Sequence, residues 1–245
     1  MYKDLLIGLG IILTSFTFIK NEPITLYIIG DSTAANKAKD KFPETGWGME
    51  LQSFFNEEVK VDNRALNGRS TKSFINEKRW ENILTTLKEG DFVLIEFGHN
   101  DEKIENPKVG TSLGEFKVNL IKYVQETQAK KAHPILLTPI VRRNFINGVL
   151  TDTHKGYPDV VRKLADSLRI PLIDMQRKTE KLVKSLGDES SKKLFLHLDS
   201  GHVNYPKGLK DNTHLNVEGA KAFAGLVAAG VKETKTSLAK HLLKK

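Results

Sequence analysis

Three features of the sequence predict an α/β fold: a three-layer α/β/α sandwich around a parallel sheet of five strands, with right-handed crossovers. Short apolar runs alternate along the chain with longer segments of helical periodicity. The runs are continuously β-branched, aromatic or leucine-rich, as in Ile24-Thr25-Leu26-Tyr27-Ile28-Ile29, the composition of strands buried on both faces. Two of them stop at a glycine followed by polar side chains, Gly30-Asp31-Ser32 and Gly98-His99-Asn100-Asp101. Open α/β sheets form their sites in such loops, outside the carboxyl ends of the strands.

Composition narrows the class. At 245 residues and 39% hydrophobic content the chain can bury one sizeable core, and no repeat or Pro/Gly/Ser-rich linker divides it. There are no cysteines, which excludes disulfides and thiolate metal sites. The net charge of +8 is spread along the chain, with some concentration in the tail. A nucleic-acid binder would show a dense basic stripe with interleaved aromatics. A diffuse positive surface suits a polyanionic substrate, or nothing specific.

The elements follow in order. Leu5 to Ile19 is apolar apart from Thr and Ser, about fifteen residues against the roughly 20 needed to span a bilayer. Residues 1–21 therefore read as a secretory signal peptide without a clear cleavage site, with an uncleaved anchor or a buried N-terminal strand as the alternatives, and the protein as secreted or periplasmic. After the first strand, 34–42 reads as loop. Gly46 to Phe55 places Trp47, Leu51, Phe54 and Phe55 at helical spacing. Val59-Lys60-Val61 starts a second strand, and 74–87 forms one or two helical segments. Phe92 to Phe97 is a third strand. Ser112-Leu113-Gly114-Glu115 is a capping box opening a helix with Phe116, Leu120 and Val124 on one face. Pro134 to Thr138 is the fourth strand, 157–168 a helix, Ile170 to Asp174 the fifth strand and 176–186 a helix. The last helix spans 217–229 and Asn216 can cap it. Residues 234–245 read as a basic tail behind a domain of residues 22–233, with Leu238, Leu242 and Leu243 spaced for a short helix.

The inter-element loops carry the reactive side chains. Ser32 stands where a nucleophile would, although a serine after a strand also caps helices. The turn Asn67-Gly68-Arg69 can aim a backbone N–H at a developing oxyanion, and the Asn100 amide can donate to the same charge. Asp211 and His214 lie three residues apart, on what reads as the turn entering the last helix, a spacing that lets the acid hold the imidazole tautomer. Arg142 and Arg143, in the loop after the fourth strand, are placed either to hold a carboxylate-bearing ligand or to be solvated. His154 in that loop is either a ligand contact or a surface histidine.

Taken together, Gly-Asp-Ser at 30–32, the glycine turn at 68, Gly-His-Asn-Asp at 98–101 and Asp-x-x-His at 211–214 resemble, in this order, the blocks of the SGNH (GDSL-type) hydrolases. Asn67-Gly68-Arg69-Ser70, Thr138-Pro139 with Arg142-Arg143, and Asn204-Tyr205-Pro206 are similar to the rhamnogalacturonan acetylesterase branch. The resemblance implies a flavodoxin-like sheet of order 2-1-3-4-5. It implies Ser32 as nucleophile, His214 as general base and Asp211 as its orienting acid. The N–H groups of Ser32 and Gly68 and the side chain of Asn100 would form the oxyanion hole. Asp31 and His99 would support these groups, with His99 shaping the Asn100 turn. Arg142, Arg143, His154 and Tyr205 would meet the substrate, an acetylated acidic polysaccharide such as pectin. The expected protein is a monomer without cofactor or metal, binding neither nucleic acid nor, once the signal is cleaved, membrane. Acetylated xylan, sialic acid or a lipid is the alternative substrate within this fold. From other classes, a metal-dependent phosphoesterase ligated by Asp31, His99, Asp101, Asp211 and His214, or a non-catalytic carbohydrate-binding protein, would use the same loops.

Overall fold

The structure is a computed structural model and describes residues 22–244; the expected signal peptide at 1–21 lies outside the described residues. The chain runs β1 (Ile24–Gly30), α1 (Trp47–Glu50), β2 (Val59–Asn63), α2 (Thr71–Asn76), α3 (Arg79–Leu84), β3 (Phe92–Glu96), α4 (Leu113–Ala129) and β4 (His133–Leu137). It continues through β5 (Phe145–Ile146), β6 (Val149–Leu150), α5 (Tyr157–Leu168), β7 (Leu172–Ile173), α6 (Met175–Ser191), β8 (Phe195–Leu198), β9 (Leu209–Leu215) and α7 (Val217–Thr234). Five strands form one sheet of order β2-β1-β3-β4-β7, every neighbouring pair parallel.

The continuous apolar runs become a two-sided core because successive side chains of a strand point to opposite faces. Leu26 and Ile28 of β1, Phe92 and Leu94 of β3, and Ile135 and Leu137 of β4 pack with Trp47 of α1, Met175 of α6 and Phe223, Ala224 and Val227 of α7. The alternate residues, Tyr27 and Ile29, Val93 and Ile95, and Leu136, face Phe74, Trp80, Phe116, Leu120, Tyr123, Val161 and Leu164 from α2 to α5. This is the three-layer sandwich, with a helical layer on each face.

Local signals set the helix starts. Ser112 Oγ accepts from Glu115 N while Glu115 Oε2 accepts from Ser112 N, closing the capping box of α4. Asn216 Oδ1 accepts from Gly219 N at 3.0 Å and caps α7. The segment 74–87 resolves into α2 and α3, separated by Lys78 in the left-handed region.

Three features differ from the sequence expectation. The chain after 233 forms the short helical turn its leucine spacing suggests, but it packs into the domain and does not stand behind it. Ser237–His241 forms a 3-10 turn whose Leu238 is fully buried, Asn56 N donates to His241 O, and Leu243 N donates to Phe54 O. Two short hairpins, β5–β6 and β8–β9, stand outside the main sheet. The second of them contains Asp211 and His214, which lie within a strand and not on a turn entering α7.

Candidate active site

The carboxyl ends of β1 and β3, the loop after β2 and the β9 strand converge on one site. Gly30 ends β1, and the next three residues turn back so that Ala35 N donates to Asp31 O. The neighbouring loop is stitched to this turn: Leu66 N donates to Gly30 O at 3.1 Å. Gly68 follows at φ +78°, a conformation L side chains rarely adopt, and its Cα faces open space. Asn100 is buried, and its Nδ2 donates to Arg69 O at 3.0 Å. Lys103 Nζ donates to Asn100 Oδ1 at 2.8 Å. An ammonium only donates, so this contact fixes which end of the carboxamide is the oxygen and leaves Nδ2 on the Arg69 side, next to Gly68. The N–H groups of Ser32 and Gly68 have no acceptor among the described residues.

The β9 strand delivers the acid and the base by an irregularity. Phe195 pairs with Leu215 and Leu196 with Asp211, so Asn212, Thr213 and His214 bulge out of the ladder. Asp211 Oδ1 closes the bulge by accepting from Thr213 N at 2.7 Å and His214 N at 2.9 Å. Its other oxygen lies 2.7 Å from His214 Nδ1, and His214 Nε2 lies 2.9 Å from Ser32 Oγ. Partial burial would raise the Asp211 carboxyl, but the hydrogen bonds from His214 and Thr213 outweigh it and hold the group at about 2. An ionised Asp211 requires the proton on Nδ1, which leaves the Nε2 lone pair facing the serine hydroxyl.

Behind Ser32 lies a buried cluster of Asp31, Thr33, Glu96 and His99. Asp31 Oδ1 accepts from Thr33 N and Thr33 Oγ1, both at 2.9 Å. Burial acts against the Asp31 charge, yet His99 and the Thr33 donors bring it down to about 2. Burial first, then the Asp31 charge, push Glu96 well above the usual carboxylate range. Its Oε2 lies 3.1 Å from the Thr33 hydroxyl. That hydroxyl has one proton, which goes to the ionised Asp31, so a protonated Glu96 supplies the second bond. Burial also lowers His99 to about 4, against the pull of Asp31. Its Nδ1 is 3.4 Å from Asp31 Oδ2, long for a hydrogen bond.

Of the other expected contacts, Arg143 is corrected. It is buried, ion-paired with Asp188, and donates to Asn212 Oδ1 at 2.9 Å and Ser191 Oγ at 3.1 Å. It braces the residue next to Asp211 from inside the protein and does not face a ligand. His154 is corrected likewise: fully buried, it lies 2.8 Å from Ile140 O and 3.3 Å from Glu102 Oε2, with its ring against His99. Arg142 is ion-paired with Glu102 and donates to Thr153 Oγ1 at 3.0 Å, leaving a small exposed face. Tyr205 is half-buried, and its hydroxyl donates to Lys41 O at 3.0 Å. The five ligands of the metal reading do not converge. Asp211 and His214 are bonded to each other, and Asp101 is tied up separately by Thr71 and Thr111. Asp31 and His99 approach Glu96 instead, behind the nucleophile turn.

Sequence reasoning passed over Glu96, which reads as the last residue of a strand, and Lys37, Lys103 and Asn212. The partners that matter for Lys37, Glu96 and Asn212 lie 30, 63 and 69 positions away, whereas Lys103 sits three residues from Asn100 and its spacing is a usable local signal.

A five-stranded α/β/α sheet that brings a serine, a histidine and an aspartate together beside free backbone donors defines an ester- or acyl-hydrolase type of site. Residues 28–222 match the GDSL-like Lipase/Acylhydrolase family, and the chain belongs to that family. It is 38% identical to the rhamnogalacturonan acetylesterase RhgT of Bacillus subtilis, over 91% of this chain and 95% of that protein. Among solved structures it resembles the YxiM protein of Bacillus subtilis, with a TM-score of 0.76 at 27% identity, over 88% of this chain and 58% of that longer one. The fold is also that of Axe2, an acetylxylan esterase from Geobacillus stearothermophilus, with a TM-score of 0.60 at 19% identity, over 89% of this chain and 96% of that one.

Proposed function

We propose that the protein is a serine esterase that removes O-acetyl groups from rhamnogalacturonan. The observation that carries the reaction type is the chain of contacts from Asp211 through His214 to Ser32, at 2.7 and 2.9 Å. His214 Nε2 takes the Ser32 proton as Oγ attacks the acetyl carbonyl carbon. The carbonyl oxygen becomes the oxyanion, held by the N–H groups of Ser32 and Gly68 and by Asn100 Nδ2. Collapse breaks the bond to the sugar oxygen, which leaves with the proton from Nε2. Water, deprotonated by the same nitrogen, then attacks the acetyl-serine and releases acetate.

The substrate class rests on the likeness to RhgT over nearly the full length of both proteins. A net charge of +8 is consistent with an anionic pectic backbone. Export to the secreted or periplasmic space would bring the enzyme to such a polymer, and among the described residues no helix is long and apolar enough to cross a membrane.

The test is acetate release from acetylated rhamnogalacturonan, acetylated xylan and a small chromogenic acetyl ester, with wild type and Ser32→Ala, each with and without chelator. The expected result is fastest release from the pectic polymer, abolished in Ser32→Ala and indifferent to chelator. Chelator-sensitive release that survives in Ser32→Ala would overturn the serine mechanism. Equal rates on xylan would overturn the substrate.

A further inference from the structure

Lys37 is a lysine with no part in the proton relay, yet its ammonium is buried within the site. Its side chain is 2% exposed. Nζ donates to the Ser32 carbonyl oxygen at 2.6 Å and to Asn67 Oδ1 at 2.8 Å, and pairs with Glu44 Oε1 at 2.7 Å. Two of its hydrogen bonds go to the Ser32 carbonyl and the Asn67 amide oxygen, and the Glu44 carboxylate balances its charge. With its charge paired to Glu44 and its side chain 2% exposed, this cation holds protein groups and is not presented to a substrate carboxylate.

The three acceptors come from three separate stretches of chain. Ser32 is in the turn after β1, Asn67 precedes Gly68 in the loop after β2, and Glu44 lies ahead of α1. The residues flanking the Asn67–Gly68 tip are tied, Leu66 N to Gly30 O and Arg69 O to Asn100 Nδ2, and Arg69 Nη1 donates to Asn67 O within the loop. Lys37 is the side chain that joins the tip itself to the nucleophile turn. Asn67 and Gly68 are both exposed, no atom lies within 4 Å of where a Gly68 side chain would sit, and Asn67 Oδ1 has no second donor among the described residues. Ser32 and Gly68 each supply an N–H to the proposed oxyanion hole, and Lys37 joins the carbonyl of one to the neighbour of the other.

We propose that Lys37 is a positioning residue that sets the span of the oxyanion hole by clamping the Gly68 loop to the nucleophile turn. The proposal rests on Ser32 being the nucleophile. Its loss would loosen the Gly68 N–H relative to Ser32 without touching substrate. Misplacement by about 1 Å costs on the order of 10²-fold in rate, and the loss falls on kcat because the donor acts on charge that develops only in the transition state.

The absence of native cysteine permits a direct test. Lys37→Cys carries a single thiol, which is alkylated in denaturant with 2-bromoethylamine to rebuild an ammonium, or with 1-bromopropane to give a neutral side chain of the same shape. Wild type passes through the same refolding cycle. On the small acetyl ester, the propylated form is expected to lose on the order of 10²-fold in kcat with KM within about threefold. Its affinity for methylboronic acid, whose tetrahedral adduct occupies the hole, should fall in parallel. The aminoethylated form should recover both to within about fivefold. Asn67→Ala, on an exposed residue, supplies a second variant where refolding fails; it is expected to lower kcat about tenfold and to add nothing to Lys37→Met. Full kcat and boronate affinity in the propylated form, or in Asn67→Ala, would overturn the proposal, as would a loss confined to KM. Ser32→Ala in the same assay separates the two failures. Activity there defeats the serine reading itself, whereas inactivity beside fully active Lys37 variants defeats only the clamp.

Discussion

Replacing Asp211 by asparagine changes one atom and should disable the base. The Asp211 Oδ1 position accepts two backbone N–H groups, from Thr213 and His214, at 2.7 and 2.9 Å. In Asp211→Asn the carboxamide oxygen must keep that place, since flipping it would break two hydrogen bonds worth about 1 kcal/mol each and set NH2 against N–H. The NH2 then occupies the Oδ2 position, 2.7 Å from His214 Nδ1 in the native protein. Nδ1 must now accept, the imidazole proton moves to Nε2, and Nε2–H points at Ser32 Oγ with no lone pair to take the serine proton. A tautomer error of this kind lowers kcat by about 10⁴ in serine triads, roughly 5 kcal/mol of barrier. The fold should lose about 1 to 2 kcal/mol, because the carboxylate is only 24% exposed and neutral hydrogen bonds replace charge-assisted ones. Two assays check this: kcat on a chromogenic acetyl ester, and the ring-nitrogen NMR shifts of His214, which should report Nδ1–H in wild type and Nε2–H in Asp211→Asn. If Asp211→Asn kept more than a tenth of kcat, or lost activity with Nδ1 still protonated, the reasoning from bulge geometry to tautomer would be refuted.

Three further outcomes are expected. Asn100→Ala should lower kcat by 10²- to 10³-fold, about 3 to 4 kcal/mol, with KM nearly unchanged, because the donor acts on the oxyanion; a loss confined to KM in steady-state kinetics would place Asn100 on the ground state instead. Arg143→Met should cost about 2 kcal/mol in urea unfolding, since a buried guanidinium leaves Ser191 and Asn212 while half-exposed Asp188 rehydrates. Its activity should fall in equal proportion on acetylated pectin and on a neutral acetyl ester, and a selective loss on pectin would return Arg143 to the substrate face. Burial depresses His99 from its ordinary 6.5 to about 4, so the unfolded chain binds the proton more readily than the folded one. That contribution to stability is whole above pH 6.5 and is lost as pH falls through 4, approaching about 3 kcal/mol. The unfolding free energy of wild type should therefore fall relative to that of His99→Gln between pH 7 and 4, and parallel pH profiles would count against a neutral buried ring.

What the sequence determined by itself was the scaffold and the positions of its reactive loops. Continuous apolar runs such as 24–29 and 92–97 require burial on both faces, and glycine followed by polar groups marks the strand ends at 30–32 and 98–101. Caps at Ser112 and Asn216 were equally legible, because a cap bonds within its own turn. The order of the strands came from family resemblance, since periodicity carries no information about which strand lies beside which.

Tertiary structure decided whatever depends on partners distant in the chain. Arg142-Arg143 and His154 read as either substrate contacts or solvated groups of a polar loop, yet Arg143 meets Asp188 and Asn212, and His154 meets Glu102 and Ile140. Asp211 and His214 suggested a turn by their spacing, but the β8 register places them on a bulge. Lys37, one lysine in a lysine-rich loop, becomes a clamp only when Asn67 is folded against the nucleophile turn. Hydrophobic periodicity reports how much of a residue's surroundings is apolar. It does not report which carboxylate, carbonyl or hydroxyl will stand 3 Å from a charged group, because that distance is set by the packing of elements the local sequence does not contain.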